Sequence, residues 1–217
     1  MKYKYLLFDL DGTLTDPAEG ITRAVSHALS HFGIHIEDRT TLYPFIGPPL
    51  KDSFRDFYGF SDTQILIAED KYREYFSEKG IFENKIYPGI RELLASLEEN
   101  EAQILLATSK PEVFAERILE HFHIREFFDF VGGATMDGTR SEKKDVVRYV
   151  LDSADIEKPS EAVMIGDRRH DIEGAQANSL DSIGVLWGYG NKEEFQKVAA
   201  TYTVQNIEEL SLLLSGD

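Results

Sequence analysis

Apolar and polar positions along this chain change their period twice. The run Tyr5-Leu6-Leu7-Phe8 is short, continuous and apolar, the mark of a strand buried on both faces. A helical repeat then takes over, with Ile21, Ala24, Val25, Ala28, Leu29 and Phe32 on one stripe and Gly33 as its end. Asp16-Pro17-Ala18-Glu19 predicts the start of that helix, with Asp16 as N-cap, Pro17 at the first helical position and Glu19 three residues after the cap. Further helices are predicted over 50–58, 62–79 and 89–99, interrupted at Gly47-Pro48-Pro49, Gly59 and Pro88-Gly89, and no buried-strand pattern occurs between residues 16 and 85. Beyond Pro88, helical runs alternate with short apolar strands at 104–107, 127–131, 162–165 and 182–186, followed by an edge strand at 202–204 and a closing helix over 207–214. Strand–helix alternation predicts a parallel sheet covered on both faces. The expected architecture is therefore α/β: a doubly wound, Rossmann-like core from residues 1–15 and 86–217, with residues 16–85 inserted as a helical cap.

Composition narrows the function classes. The 217 residues suit one medium domain or a domain with an insertion, and no stretch approaches the ~18 consecutive apolar residues of a membrane span. No charged-then-apolar leader precedes the first strand, so a cytoplasmic protein is expected. The absence of cysteine excludes a disulfide framework, a thiol nucleophile and a thiolate metal site. A net charge of −16 argues against a nucleic-acid partner, which requires clustered Lys and Arg. The same charge repels a phosphate ester at long range. Attraction would have to be local, from a metal and a few lysines within a Debye length of about 8 Å.

Candidate chemistry gathers at the predicted strand ends, where open α/β sheets bind ligands. Asp9 and Asp11 close the first strand, and Gly12 permits a turn and a close backbone approach. Two carboxylates there raise each other's pKa unless a cation or a proton lies between them. The second strand is followed by Thr108-Ser109-Lys110-Pro111, whose hydroxyl and amides before a helix suit phosphoryl oxygens, though a plain helix cap has the same composition. Gly166-Asp167 and Asp171 place two carboxylates four apart on one side of a first helical turn. Lys143-Lys144-Asp145-Val146-Val147 supplies nearby positive charge, with at least one of the two lysines on a solvated face. His27, His31 and His35 also recur every four residues, but Gly33 breaks the helix before His35, which argues against a zinc set.

Taken in order, Asp9-Leu10-Asp11-Gly12-Thr13, Thr108, Lys143 and Gly166-Asp167 with Asp171 resemble the motifs of the haloacid dehalogenase-like phosphohydrolases. Residues 167–175, Ser182-Ile183-Gly184-Val185, Trp187-Gly188-Tyr189-Gly190 and Ile46-Gly47-Pro48-Pro49-Leu50 resemble the phosphoglycolate phosphatase-like branch with its helical cap. The resemblance implies a magnesium-dependent phosphomonoesterase that cleaves a small phosphorylated metabolite through an aspartyl-phosphate. Asp9 would be the nucleophile and Asp11 the acid/base. Mg2+ would be held by Asp9, the Asp11 backbone carbonyl and Asp167, supported by Asp171. Thr108 and Lys143 would bind the phosphoryl group, and Gly12, Thr13, Ser109, Lys110 and the cap loop at Gly47 would contact substrate. The family text Lys-x-Asp-Val-Val selects Lys143, with Lys144 as the alternative, and Ser109 departs from the Asn that many relatives carry. A 5'-nucleotidase acting on nucleoside monophosphates and a sugar-phosphate mutase share these motifs. Asp11 speaks against a carbon–halogen hydrolase, and the completeness of the set against an idle phosphate-binding module. The expected partner is a small phosphate ester, with no nucleic acid and no membrane; nothing in the pattern fixes an oligomeric state.

Overall fold

A computed structural model describes residues 2–216. The chain divides into two compact units, Met1–Asp16 with Ile86–Asp217, and Pro17–Lys85. In chain order, the elements begin with β1 (Tyr5–Phe8) and β2 (Thr15–Asp16). The smaller unit follows with α1 (Ala18–His31), α2 (Leu50–Tyr58) and α3 (Asp62–Phe76), and β3 (Lys85–Ile86) marks the return. The larger unit then alternates α4 (Ile90–Glu99), β4 (Gln103–Pro111), α5 (Glu112–His121), β5 (Phe130–Ala134), α6 (Lys143–Ser153), β6 (Ala162–Gly166), α7 (Arg169–Ala177), β7 (Asp181–Val185), α8 (Lys192–Lys197), β8 (Tyr202–Val204) and α9 (Ile207–Ser215).

In the larger unit six strands form one sheet in the order β5-β4-β1-β6-β7-β8, and every pairing is parallel. Leu7, Leu105 and Met164 meet Val146, Val147 and Val150 of α6 and Ala175 of α7 in one apolar cluster. Strand alternation sends Leu6 and Phe8 to the opposite face, and both are fully buried. The continuous apolar run of β1 is thus accounted for: it lies at the sheet's centre with helices over both faces. The edge position of β8 and the closing helix α9 agree with the reading from periodicity.

Three sequence expectations need correction. The strand expected at 127–131 runs from Phe130 to Ala134, and residues 125–127 form a 3₁₀ turn. Gly132-Gly133 lies inside this strand: a Cβ on Gly133 would stand 2.6 Å from Glu112 Cα and 2.7 Å from Lys110 O, so only glycine lets β5 pass here. Asp16 is not an N-cap: the cap position falls on Pro17, which makes no side-chain cap bond, and the Asp16 carboxylate accepts from the Tyr189 hydroxyl. The second strand does not stop at Ala107 but continues, with a register shift, to Pro111.

The smaller unit has its own core. Ile21, Ala24, Val25, Ala28 and Leu29 of α1 are buried, as are Ile65, Ala68, Tyr72 and Phe76 of α3. The Phe54 ring lies 5.1 Å from Phe45 and 5.8 Å from Phe60, centroid to centroid. Ser61 and Gln64 close a capping box at the start of α3. Among the described residues, no helix is long and apolar enough to cross a membrane.

Because Gly133 meets backbone rather than a movable side chain, Gly133→Ala is expected to destabilise the protein by about 1–3 kcal/mol. The measurement is a denaturant titration, where the midpoint should fall at an unchanged slope.

Candidate active site

The central strand sets the site. β1 lies between β4 and β6, and the chain winds outward from it in both directions: β4 and β5 to one side, β6, β7 and β8 to the other. Such a switch point leaves a crevice beyond the strands' carboxyl ends. Asp9 extends the ladder by donating from its amide to Ile165 O at 2.9 Å. The chain then folds back, with the Leu14 and Thr15 amides donating to Leu10 O and the Gly12 amide to Thr15 O at 2.7 Å. Gly12 has a φ of 81°, and a Cβ there would lie 2.1 Å from Asp167 Oδ2. Both facts require glycine.

Three carboxylates converge in this crevice. Asp9, Asp167 and Asp171 are buried, and each offers an oxygen within 4.8 Å of the others'. Asp171 reaches the cluster because Gly166, at the end of β6, has no Cβ to meet it, and the Arg168 amide donates to its Oδ2 at 3.0 Å. Lys143 opens α6 and lies with them. Its Nζ stands 2.8 Å from Asp9 Oδ1 and 2.7 Å from Asp171 Oδ1, and donates to Ala107 O at 3.0 Å. Gly174 of α7 makes room for the lysine stem, since a Cβ there would come within 2.7 Å of Lys143 Cγ. Lys144 points elsewhere and pairs on the surface with Glu142 at 2.8 Å.

Asp11 is buried too, but its carboxylate is not one of the converging three. Lys110 Nζ lies 2.7 Å from Asp11 Oδ2, while Asp11 Oδ1 has no hydrogen-bond partner. The prolonged β4 carries Thr108 and Lys110 inward, both buried, with Ser109 between them more open. The Thr108–Pro111 segment runs straight into α5 at Glu112, as the sequence led one to expect, but it does so as strand, and the Lys110 amide donates to Thr108 Oγ1 at 3.2 Å. Thr13 is buried with an unpartnered hydroxyl. Gly47 belongs to the smaller unit, where its φ of 103° requires glycine.

Sequence reasoning assigned no task to the residues that brace this cluster. The Tyr189 amide donates to Asp167 Oδ2 at 2.7 Å, and Trp187 Nε1 donates to Thr13 O at 3.0 Å. A Cβ on Gly188 would lie 2.3 Å from Gly12 O, and one on Gly190 2.0 Å from Asp167 O. The signal was present: two glycines flanking an aromatic just after a buried strand mark a close backbone approach.

Electrostatics test the site for a metal. Were Asp9, Asp11, Asp167 and Asp171 all ionised, the two ammonium groups of Lys110 and Lys143 would leave two negative charges buried without compensation. In response, burial pushes Asp11 above the ordinary carboxyl value, although Lys110 pulls it down. Burial, with the charges of Asp171 and Asp9, pushes Asp167 well above it. Asp171 is pushed up to about 6 by burial, against the pull of Lys143. Burial also works against the Lys143 ammonium, yet the Asp171 and Asp9 carboxylates outweigh it and hold its pKa above the ordinary lysine value. The buried Oδ1 of Asp167 has no partner. One hard divalent cation, which favours carboxylate oxygens, would match both the missing charge and that oxygen. The residues fit such an ion.

Comparison with known proteins agrees with this geometry. Residues 6–185 match the model of a family described as haloacid dehalogenase-like hydrolase. A 5'-nucleotidase from Pseudomonas aeruginosa is 42% identical over 216 residues, covering 100% of this chain and 97% of that protein. Tyrosine-protein kinase PtkA of Mycobacterium tuberculosis is 38% identical over 209 residues, 94% of this chain and 70% of that one. The crystal structure of a predicted phosphatase from Clostridium acetobutylicum has a TM-score of 0.97 at 47% identity, with full coverage of both chains. Proteins named as phosphoglycolate phosphatases stand further off among the relatives. The strand-end carboxylates and these relatives together place the chain: it belongs to the haloacid dehalogenase-like hydrolases and is a phosphoric monoester hydrolase.

Proposed function

We propose that this chain is a magnesium-dependent phosphomonoesterase that hydrolyses a small phosphorylated metabolite through an aspartyl-phosphate. The observation that carries the reading is the buried group of Asp9, Asp167 and Asp171, whose three carboxylates meet a single ammonium, Lys143, while Lys110 is taken by Asp11. Asp9, Asp167 and Asp171, with the Asp11 carbonyl, would hold Mg2+, which when bound supplies positive charge to the phosphoryl oxygens.

The protein's own groups account for the remaining chemistry. An oxygen of Asp9 attacks phosphorus, the ester P–O bond breaks, and the leaving oxygen takes a proton from the Asp11 carboxyl. Burial suits Asp11 to this task, because it holds the carboxyl above its ordinary pKa and so favours the protonated form. Water then attacks the phosphorylated Asp9, its proton passes to Asp11, and the acyl-phosphate bond opens to return the Asp9 carboxylate and inorganic phosphate. Lys143 and the Thr108 hydroxyl spread charge on the phosphoryl oxygens. Gly12, Thr13 and Ser109 border the same strand ends and complete the cradle.

For the ester itself, phosphoglycolate led the sequence-based expectation. The full-length likeness to a 5'-nucleotidase at 42% identity favours a nucleoside 5'-monophosphate. Phosphate release from a panel holding both classes decides between them.

Chelation should abolish phosphate release and magnesium should restore it; undiminished turnover in excess chelator would sink the metal's role. Without substrate, magnesium should raise the melting temperature of the parent protein but not of Asp167→Asn. Asp9→Asn should give no turnover and no phosphorylated enzyme. Asp11→Asn should lose at least ~10²-fold in kcat/KM, the low end of what general acid–base groups contribute. Lys143→Met removes one partner of a buried ion cluster and should cost about 3–5 kcal/mol in stability as well as most of kcat. Lys144→Ala should stay within about 0.5 kcal/mol, and a reversed order in the same denaturation and rate assays would displace Lys143 from the site.

A further inference from the structure

Lys110 is the buried cation that the reaction outlined above leaves unused. It sits on the stretch of β4 that runs past the register shift, and Gly133 lies so close to its carbonyl that a Cβ would approach within 2.7 Å. Its ammonium lies 2.7 Å from Asp11 Oδ2, with both side chains about nine-tenths buried or more. An ammonium has three donors and no acceptor. The oxygen it faces therefore acts as acceptor, and the positive charge beside it favours the carboxyl proton on the other oxygen. The other oxygen, Asp11 Oδ1, is buried and unpartnered.

We infer that Lys110 is a positioning residue: it fixes which Asp11 oxygen carries the proton, and aims that oxygen, Oδ1, at the leaving group. The inference rests on the phosphatase reading above and deepens it. Lys110 was expected from sequence to contact substrate directly, and the pair with Asp11 gives it a different task. In the first half-reaction the Oδ1–H bond breaks as the leaving oxygen gains the proton, and the resulting carboxylate keeps Oδ2 on the Lys110 ammonium. In the second half-reaction the proton from water returns to Oδ1. Holding the carboxyl by one oxygen prevents the rotation that would turn the proton away from the leaving group.

Substrates that differ in their need for a proton separate the two roles. An aryl ester such as p-nitrophenyl phosphate leaves without help, whereas an alkyl phosphate needs its oxygen protonated. Lys110→Met keeps most of the side-chain volume and removes the donor. Its kcat/KM should fall at least ~10-fold further on the alkyl ester than on the aryl ester, a share of the ~10²–10⁴ that acid–base catalysis contributes. Its affinity for inorganic phosphate, measured as competitive inhibition, should change no more than a few-fold. Equal losses on both esters, or no loss, would overturn the inference; equal losses with weakened phosphate binding would make Lys110 a substrate contact. If Lys110→Met does not fold, Lys110→Gln, which retains an N–H donor, undergoes the same comparison and should lose less on the alkyl ester than on removal of Asp11 itself by Asp11→Asn. A crystal structure of either variant is a readout independent of turnover: the Asp11 carboxyl should have rotated, and an unmoved carboxyl refutes the role. Failure of the phosphatase reading looks different, since the parent protein would then hydrolyse neither ester and Asp11→Asn would change nothing.

Discussion

Burying four carboxylates within one strand-end crevice is the constraint on which the rest of this structure depends. An isolated buried carboxylate is far too unfavourable to keep its charge, so the group must be paired, protonated or ligated. All three responses have a place here. Lys143 spans Asp9 and Asp171, and Lys110 takes Asp11. Burial raises the pKa of Asp11, Asp167 and Asp171, which favours a proton on each over a bare charge. The charge that the lysines leave unbalanced is what a divalent ion at these carboxylates would offset.

Holding those groups together demands unusual closeness of backbone. Gly12, Gly166, Gly174, Gly188 and Gly190 each occupy a point where a Cβ would strike a member of the cluster or the chain that carries it. The crevice is thus built from approaches that only glycine allows, on a sheet whose centre is closely packed. The loop after β7 closes the arrangement: Tyr189 holds Asp167 through its amide and Asp16 through its hydroxyl, while Trp187 holds the carbonyl of Thr13. One segment therefore ties a metal-binding candidate to the turn that follows β1. The orientation of the carboxylates is consequently set by the scaffold before any ligand arrives, which is the condition for electrostatic catalysis.

Local pattern carried much of the fold because its causes are local. The apolar run at residues 5–8 reads as a buried strand, and it is the centre of the sheet. Helices at 50–58 and near 90–99 end at glycine or begin after Pro-Gly, where backbone conformation alone sets the boundary. Asp9, Asp167 and Asp171 could be named because strand ends and helical spacing fix where such side chains emerge, and these three do converge.

Where long-range packing outweighs local preference, the sequence was a poor guide. Asp16-Pro17 has every mark of a helix cap, but the Tyr189 hydroxyl, more than 170 residues away, claims the carboxylate. The strand expected at 127–131 is displaced to Phe130–Ala134 and takes in Gly132-Gly133, where α5 and α6 press too closely for any side chain. Between Lys143 and Lys144 the family resemblance, not the helical pattern, selected the first, and the packing of α6 against α7 sends it inward and leaves the second with Glu142. Lys110 shows the same limit most sharply. Its charge and its strand were legible, but its partner was not. By itself the sequence determined the strands, their carboxylates and the chemistry those groups can support. Which cation faces which carboxylate was decided only by the tertiary structure, since that pairing depends on distances between segments that periodicity does not encode.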